Sequence, residues 1–574
     1  MTPPRPPPAN PAAPPFVPAT TAAERFGWLA IVALALALRL WRLPVHEPWL
    51  DEACSLLQAG KPALDAILGP FAASTTAAAA SPHPPLYFLL LKGAVALLGD
   101  GIFAARVVSV AAGIVLVLAT GVAGRALAGR SGGLFAALIA ALSPLAIHYS
   151  VEVRGYILLA GCAMVFALAL ARFVSAGGRR PATVMAIALI AATMTHFYGL
   201  LLTPLPLLLV AVHRDEPARR QRAVRGCWLA VAAATPALML TVATVTRGLG
   251  GVDWLQPPAS LAGAAWQSFS AVLLGTTIPS HLRDVGFVSL PLWSRAIGGV
   301  LGVGGLGMAL TAAWRSGGGA EGEPDSGPQS DDERIHRATL TWTLLGMAAL
   351  AIGLPLVASL WRPLALPGRY ELAAMPALQA LIGAGLALAV SRVGTRLARP
   401  GAATTLALMA LLALGSLHLT AWAALDTLQP YRVLAGKIAA ATQTSTGPSA
   451  VVHTDLTLPP LRWHLDAVPW PAGTAPETLT FPTALAQHPC WQSAPAKDLA
   501  KDAAAWVAAR ATGAAPAQLL VVVRLDNDRP RPTGLALLRA LAQGGWRQGD
   551  GGTVGDYALV SWLAPGQRRA QAQQ

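Results

Sequence analysis

Residues 27–57 read GWLAIVALALALRLWRLPVHEPWLDEACSLL, an apolar run followed by a pair of carboxylates, Asp51 and Glu52, beside Trp49. The run itself, 27–43, reads as a helix that enters lipid, since about 20 apolar residues cross roughly 30 Å of hydrocarbon. The whole chain agrees with that start. Hydrophobic residues make up 54%, mean hydropathy is +0.52 and only 12% of residues are charged, which predicts a polytopic α-helical membrane protein. Against so apolar a background, two adjacent carboxylates at a membrane face point to chemistry. The plainer alternative is the acidic first turn of a helix.

Further candidate spans are 103–124, 134–150, 156–173, 182–198, 200–213, 227–246, 293–314, 338–360, 371–390 and 402–421, giving about 11 transmembrane helices with the first. Pro204 and Pro206 make the 182–213 pair the least regular. Segment 84–98, PPLYFLLLKGAVALL, is too short to cross and contains Lys92, so it is expected to lie along the interface.

The formal net charge is +14, with pI ≈ 10.4. That charge sits in arginines of short loops, among them Arg125, Arg130, Arg172, Arg179, Arg219, Arg222 and Arg392, which marks those loops as cytoplasmic rather than marking a nucleic-acid surface. Arg39 and Arg42 run against this rule and are expected to snorkel or to pair with local carboxylates.

Residues 1–23 are Pro/Ala-rich, carry no evident cleavage site and read as a disordered cytoplasmic tail. Residues 24–421 form the transmembrane domain, with a first outer loop at 44–102 and a flexible cytoplasmic linker at 315–337. Residues 422–574 lose the long apolar spans. PSAVVHT, QLLVVVRL and DYALVSWL read as strands there, and LALLRALAQGG as a helix stopped by glycine. A small soluble α/β domain on the outer side is expected.

The outer face collects the chemically informative residues: Asp51, Glu52, His83, His148, Glu152, Arg154, Tyr156, His196, Tyr198, Arg369 and Tyr370. Two arginines, each followed closely by tyrosine, read as an anion site, against the alternative of structural snorkelling. His148 reads as an interfacial structural histidine. His83 is either a turn cap or a site residue, and His196 either an acceptor-site polar group or a helix-packing hydrogen bonder.

No P-loop, GxGxxG before a strand, CxxC pair or HExxH is present, so no nucleotide or metal site is visible, and a divalent ion has no support in the residues. Of the four cysteines, Cys162 and Cys227 fall in or beside spans, while Cys54 and Cys490 share the outer compartment, where a bridge between them is one alternative. The chemistry that fits is group transfer from a phosphate-activated lipid. One carboxylate takes the proton of an acceptor hydroxyl, and the arginines hold the leaving phosphate.

At these residues the chain resembles the GT-C superfamily of membrane glycosyltransferases, in particular the protein O-mannosyltransferase-like (family 39) group, which includes the lipid A aminoarabinose transferases. The matching pieces are WLDEACS, HPPLYFLLLKGAVALLGDGIFAARVVSVAAGIVLVLATGVAGRALAG, ALSPLAIHYSVEVRGYILL, THFYGLLL and PGRYELAAMP, spread over most of residues 27–390. The resemblance implies a polyprenyl-phosphate sugar donor and a periplasmic site in a bacterial inner membrane. It makes Asp51 the base, with Glu52 beside it, and places Arg154, Tyr156, Arg369 and Tyr370 near the donor phosphate. His83, Glu152, His196 and Tyr198 become acceptor-side or supporting residues. The acceptor is a protein, a glycolipid or a polysaccharide.

This chain departs from the aminoarabinose transferases in one place. It has Pro82–His83 where they have a Glu–Lys pair, which argues against carrying over their acceptor or a metal site. Two other functions compete: a transporter or flippase of lipid-linked saccharides, and an O-antigen ligase or polymerase. A transporter predicts charges along a path through the midplane and paired half-structures, and neither is seen.

Overall fold

A computed structural model describes residues 21–43, 48–63, 83–99, 101–246, 260–275, 277–280, 286–317, 331–361, 364–425, 431–445, 447–454, 457–483, 498–511, 516–526, 529–555 and 557–565. Most of the expected N-terminal tail, part of the first outer loop, the centre of the 315–337 linker and Cys490 lie outside the described residues.

The first half of the chain is helical: α1 (Ala22–Arg42), α2 (Leu50–Gly60), α3 (Leu86–Leu98), α4 (Ile102–Leu142), α5 (Pro144–Ser150), α6 (Tyr156–Ala176), α7 (Arg179–Thr195), α8 (Leu205–Val212) and α9 (Pro217–Thr246). Beyond it lie α10 (Leu261–Phe269), an antiparallel pair β1 (Thr277–Ser280) and β2 (Gly286–Ser289), α11 (Leu292–Gly317), α12 (Asp331–Ala358), α13 (Ala374–Arg396) and α14 (Pro400–Leu425). Among the described residues six helices are long and apolar enough to cross a membrane, and Leu86–Leu98 and Phe197–Val212 are shorter apolar segments. The chain is thus a multi-pass membrane protein.

The expected spans 103–124 and 134–150 are the two arms of α4, which reverses at Ala128 and Gly129, the latter at φ 67°. The second arm ends at Leu142 instead of running to 150. Pro144 starts a new short helix, whose first turn is capped by Ser143 Oγ accepting from the Ala146 N–H. Prolines likewise split the 200–213 segment into a 3₁₀ turn, Phe197–Leu202, and α8. At the centre of the bundle, helices approach on small residues. A Cβ at Gly385 would clash with the Gly305 carbonyl oxygen, so α13 and α11 meet backbone to backbone there.

Arg39 neither snorkels nor pairs with a carboxylate among its recorded contacts. It is fully buried and donates to Ser150 Oγ and to the Ala35 carbonyl, each at 3.0 Å. Segment 84–98 is a 13-residue helix, α3, too short to cross. Its Lys92 Nζ donates to the carbonyls of Ala59 and Lys61, closing the C-terminal end of α2.

The last part of the chain contains α15 (Tyr431–Gln443), β3 (Ser449–Thr454), α16 (Leu458–Asp466), β4 (Glu477–Phe481), α17 (Leu499–Ala511), β5 (Gln518–Asp526), β6 (Arg529–Pro530), α18 (Pro532–Gln543), β7 (Arg547–Val554) and β8 (Tyr557–Leu563). The sheet order is β4-β3-β5-β8-β7, with β6 beside β5. The β4-β3-β5 part is parallel, and β8 and β7 are antiparallel. Alternation along β5 decides the layers. Leu519, Val521 and Val523 face α17 and α18, while Leu520 and Val522 face α15 and α16. This is the small α/β unit expected from the strand patterns, and its α15–α16 layer meets the first outer loop, where α16 packs on α2.

Candidate active site

α2 begins at the carboxylate pair, and its first turn sends the two side chains in different directions. Glu52 turns inward, 1% exposed, and both its oxygens are occupied. Arg106 Nε donates to Oε1 and Arg106 Nη2 to Oε2, each at 3.1 Å. The Val153 N–H donates to Oε1 at 2.8 Å, and the Trp49 N–H to Oε2 at 3.4 Å. A two-pronged guanidinium–carboxylate pair of this kind fixes position as well as charge. It ties α2 to α4 and to the 151–155 turn.

Asp51 points the other way. Its Oδ2 accepts from Arg369 Nη2 and lies 3.6 Å from Arg154 Nη2. The two arginine side chains are only 11% and 14% exposed, so two shielded cations share one carboxylate oxygen. Arg154 is further placed by the Tyr156 hydroxyl at 3.3 Å, His83 Nε2 at 3.2 Å and Ser55 Oγ at 3.5 Å. Arg369 Nε donates to the same Tyr156 hydroxyl at 3.1 Å. The loop that carries Arg369 is anchored where the Tyr149 hydroxyl donates to the Gly368 carbonyl at 2.9 Å.

Rings close the site. Arg369 lies over Trp49 and Tyr156 at 5.1 and 5.2 Å, and Arg154 over Tyr156 at 5.4 Å. His83, Tyr156, His196, Tyr198 and Tyr370 form a contiguous wall, with ring centroids 4.7–6.3 Å apart. Tyr198 is held by donation to the Leu364 carbonyl, and His196 Nε2 is buried without a hydrogen-bond partner. Glu152 Oε1 accepts from the Trp49 indole N–H at 2.8 Å, while its Oε2 is buried and unpaired. Burial pushes the Glu152 carboxyl up to about 8, against the pull of Arg369. His83 is pushed well below its usual range by burial, with Arg154 adding to it.

Residues 82–244 match the family model of the dolichyl-phosphate-mannose-protein mannosyltransferases. Among solved structures, ArnT from Cupriavidus metallidurans bound to undecaprenyl phosphate is similar, with a TM-score of 0.55 and 15% identity over 96% of this chain and 100% of that one. AglB from Archaeoglobus fulgidus is similar at a TM-score of 0.47 and 12% identity, over 75% of this chain and 63% of that one. No curated protein matches the chain. The ArnT likeness shows a shared fold.

The mannosyltransferase-like segment carries His83, Glu152, Arg154, Tyr156, His196 and Tyr198. Asp51, Glu52, Arg369 and Tyr370 come from outside it and are brought in by the fold. All ten of these residues converge. His148 does not join them. It packs against Tyr149 and Trp422, with ring centroids 5.0 and 5.6 Å away.

Two members of the cluster were missed in the sequence. Arg106 is one, although an arginine inside the apolar run IFAARVVSV is itself a signal. Trp49 was noted only as a neighbour, and its contacts with Arg369 and Glu152 leave no local signature. Among the described residues no group of three or more His, Cys, Asp or Glu side chains is arranged to hold a metal ion. Cys54 on α2 is disulfide-bonded, while Cys162 and Cys227 are free; the expected partner, Cys490, lies outside the described residues.

Proposed function

We propose that the chain transfers a sugar from a polyprenyl-phosphate donor to a hydroxyl acceptor, inverting the anomeric carbon, with Asp51 as the base. The carrying observation is the convergence of Arg154 and Arg369 on one oxygen of Asp51 among aromatic rings. Two shielded guanidinium groups facing one carboxylate leave positive charge in excess, and a desolvated charge of that kind calls for an anion. A phosphate monoanion at the head of a lipid supplies one that arginine forks match. The donor named in the matching family description and the undecaprenyl phosphate of the similar structure support this choice.

In this mechanism the acceptor oxygen attacks C1 of the sugar, and its proton passes to Asp51. The bond from C1 to the phosphate oxygen breaks, and the electron pair leaves with the phosphate, whose charge Arg154 and Arg369 hold. In the resting site Asp51 itself serves as the anion of the arginines. A donor phosphate that takes the guanidinium groups releases the carboxylate for proton transfer, so the donor binds before the acceptor. Glu52, committed to Arg106, positions α2 and takes no part in the transfer step. Tyr156 and Tyr370 complete the phosphate end, and His83, Glu152, His196 and Tyr198 form the wall against which sugar and acceptor lie.

The arginine-rich loops assign the opposite end of the bundle to the cytoplasm. On this reading the site and the C-terminal α/β unit from Tyr431 onward are periplasmic in a bacterial inner membrane, and the expected division at 421/422 moves past the end of α14 at Leu425. The transferred group is a hexosyl or pentosyl unit, and the acceptor a protein, glycolipid or polysaccharide. The test is transfer of label from a radiolabelled polyprenyl-phosphate sugar by the purified full-length protein. Label moved to an acceptor, and lost in Asp51→Asn, supports the proposal. Flipping of the intact lipid-linked sugar across vesicles without bond cleavage overturns it.

A further inference from the structure

We infer that Trp49 is a positioning residue through which the C-terminal α/β domain sets the geometry of the donor-phosphate site. The inference rests on the phosphate-holding roles of Arg154 and Arg369. The Trp49 indole meets three parts of the molecule at once. Arg369 lies over its ring at 5.1 Å, and its N–H donates to Glu152 Oε1 at 2.8 Å. It also packs against the buried cluster of Tyr431, Leu434, Leu461 and Leu465, the α15–α16 layer of the C-terminal sheet.

Trp49 stands at the N-cap of α2, a position that favours Ser, Thr, Asp or Asn, because their side chains accept a free N–H of the first turn. An indole N–H can only donate, so the Trp49 side chain cannot accept such a bond. The helix start is secured instead by Glu52, whose carboxylate accepts the Trp49 N–H. The indole is therefore not there to begin the helix. A large ring at a locally unfavourable position, held from one side by a separate domain, indicates a role beyond α2. α2 has only 11 residues, and its contact with α16 and the Cys54 disulfide add to the constraint on its placement. A shift of the α15–α16 layer moves the indole, and with it the guanidinium that holds the phosphate and the carboxyl of Glu152.

The test uses the full-length protein and initial rates at varied donor and saturating acceptor. Trp49→Ala should raise the donor KM about tenfold with a smaller change in kcat. Trp49→Phe, which keeps a ring under Arg369, should restore most of the difference. Leu465→Ala acts from the other side of the contact, in the α/β domain. It should raise the donor KM in the same direction, yet add little in the Trp49→Ala background. Leu465→Val is the milder second variant, for use if Leu465→Ala lowers the folded yield. Additive effects of Trp49→Ala and Leu465→Ala, or a wild-type donor KM in folded Trp49→Ala, overturn the coupling. Arg369→Ala separates the two levels. If it raises the donor KM while Trp49→Ala does not, the coupling alone is wrong. If it leaves the donor KM unchanged, the phosphate site itself is wrong.

Discussion

The same motif, two arginines on one carboxylate, occurs at both ends of the bundle. At the N-terminal end of α1, Glu24 receives Arg125 and lies 3.4 Å from Arg130 Nε, so the helix start is pinned to the α4 reversal. Past the other end of α1, about 30 Å away at 1.5 Å per residue, Asp51 receives Arg369 and Arg154. The surroundings separate the two clusters. Arg130 is 56% exposed, so water solvates its surplus charge. Arg154 and Arg369 are shielded by Trp49, Tyr156 and the wall behind them. Solvated excess charge is cheap and says little about function. The same excess held away from water is expensive, and persists where an anion completes it.

The comparison is broken most directly at Asp51. Asp51→Asn keeps the shape but accepts no proton, so turnover should fall on the order of 10²–10⁴, the usual contribution of a general base. Binding of polyprenyl phosphate should become tighter in the same variant, because the competing carboxylate is gone. Titration calorimetry with the lipid phosphate checks this, and weaker binding would mean that Asp51 is not the resting counterion.

Arg369→Ala should cost on the order of 10²–10³ in kcat/KM for the donor, the scale of losing one preorganised charge donor. Arg154→Ala should behave similarly, and lysine at either place should rescue only part, lacking the planar fork. Glu52→Gln should act on folding rather than chemistry. Removing one partner of a buried ion pair costs about 3–5 kcal/mol, read as a fall in thermal midpoint of the detergent-solubilised protein.

Much of the outer cluster was legible in the sequence because ionisable residues are rare in so apolar a chain. Asp51, Arg154 and Arg369 stand out for that reason alone. What stayed hidden was pairing. Arg106 and Glu52 are 54 positions apart, and nothing local distinguishes a carboxylate that meets a partner from one that meets a substrate. The reversal inside α4 was hidden as well, since apolar content reports lipid contact and not backbone direction. The break at Ser143–Pro144 carried the usual start signal, but the long apolar run masked it. The C-terminal strands were readable from alternation and turn residues, whereas the docking of their α15–α16 layer on Trp49 is a tertiary fact with no sequence pattern.

Glu152 gives a smaller, pH-dependent effect. Its carboxyl rises from 4.5 to about 8 in the folded chain. Between these values the folded chain holds a proton that the unfolded chain releases, so this group makes stability fall as pH rises through that window and level off above it. Ionised Glu152 adds negative charge beside Asp51, Glu52, Arg154 and Arg369, and competes with the donor phosphate. The donor KM should therefore rise by several-fold above about pH 8, and Glu152→Gln should remove that limb. A limb that persists in Glu152→Gln would assign it to another group.

The smallest effect belongs to the opposite end of the bundle, and there the comparison is sharpened. Arg130→Ala removes one of two arginines from Glu24, formally the same lesion as Arg154→Ala. Arg130 is more than half exposed, and Arg125, only 13% exposed, keeps the carboxylate paired. With its arginine in solvent and Glu24 still paired to Arg125, this second contact contributes about 0–1 kcal/mol, less in salt. Transfer rate and donor KM should stay within about twofold of wild type, and the thermal midpoint should move little and less still at high ionic strength. Should Arg130→Ala instead depress the donor kcat/KM as Arg154→Ala does, shielding would not be what distinguishes the clusters. The outer arginines would then lose their special standing, and the effect of Arg130→Ala would have to be traced to the packing of α1 on α4, where Arg125 and Arg130 meet Glu24.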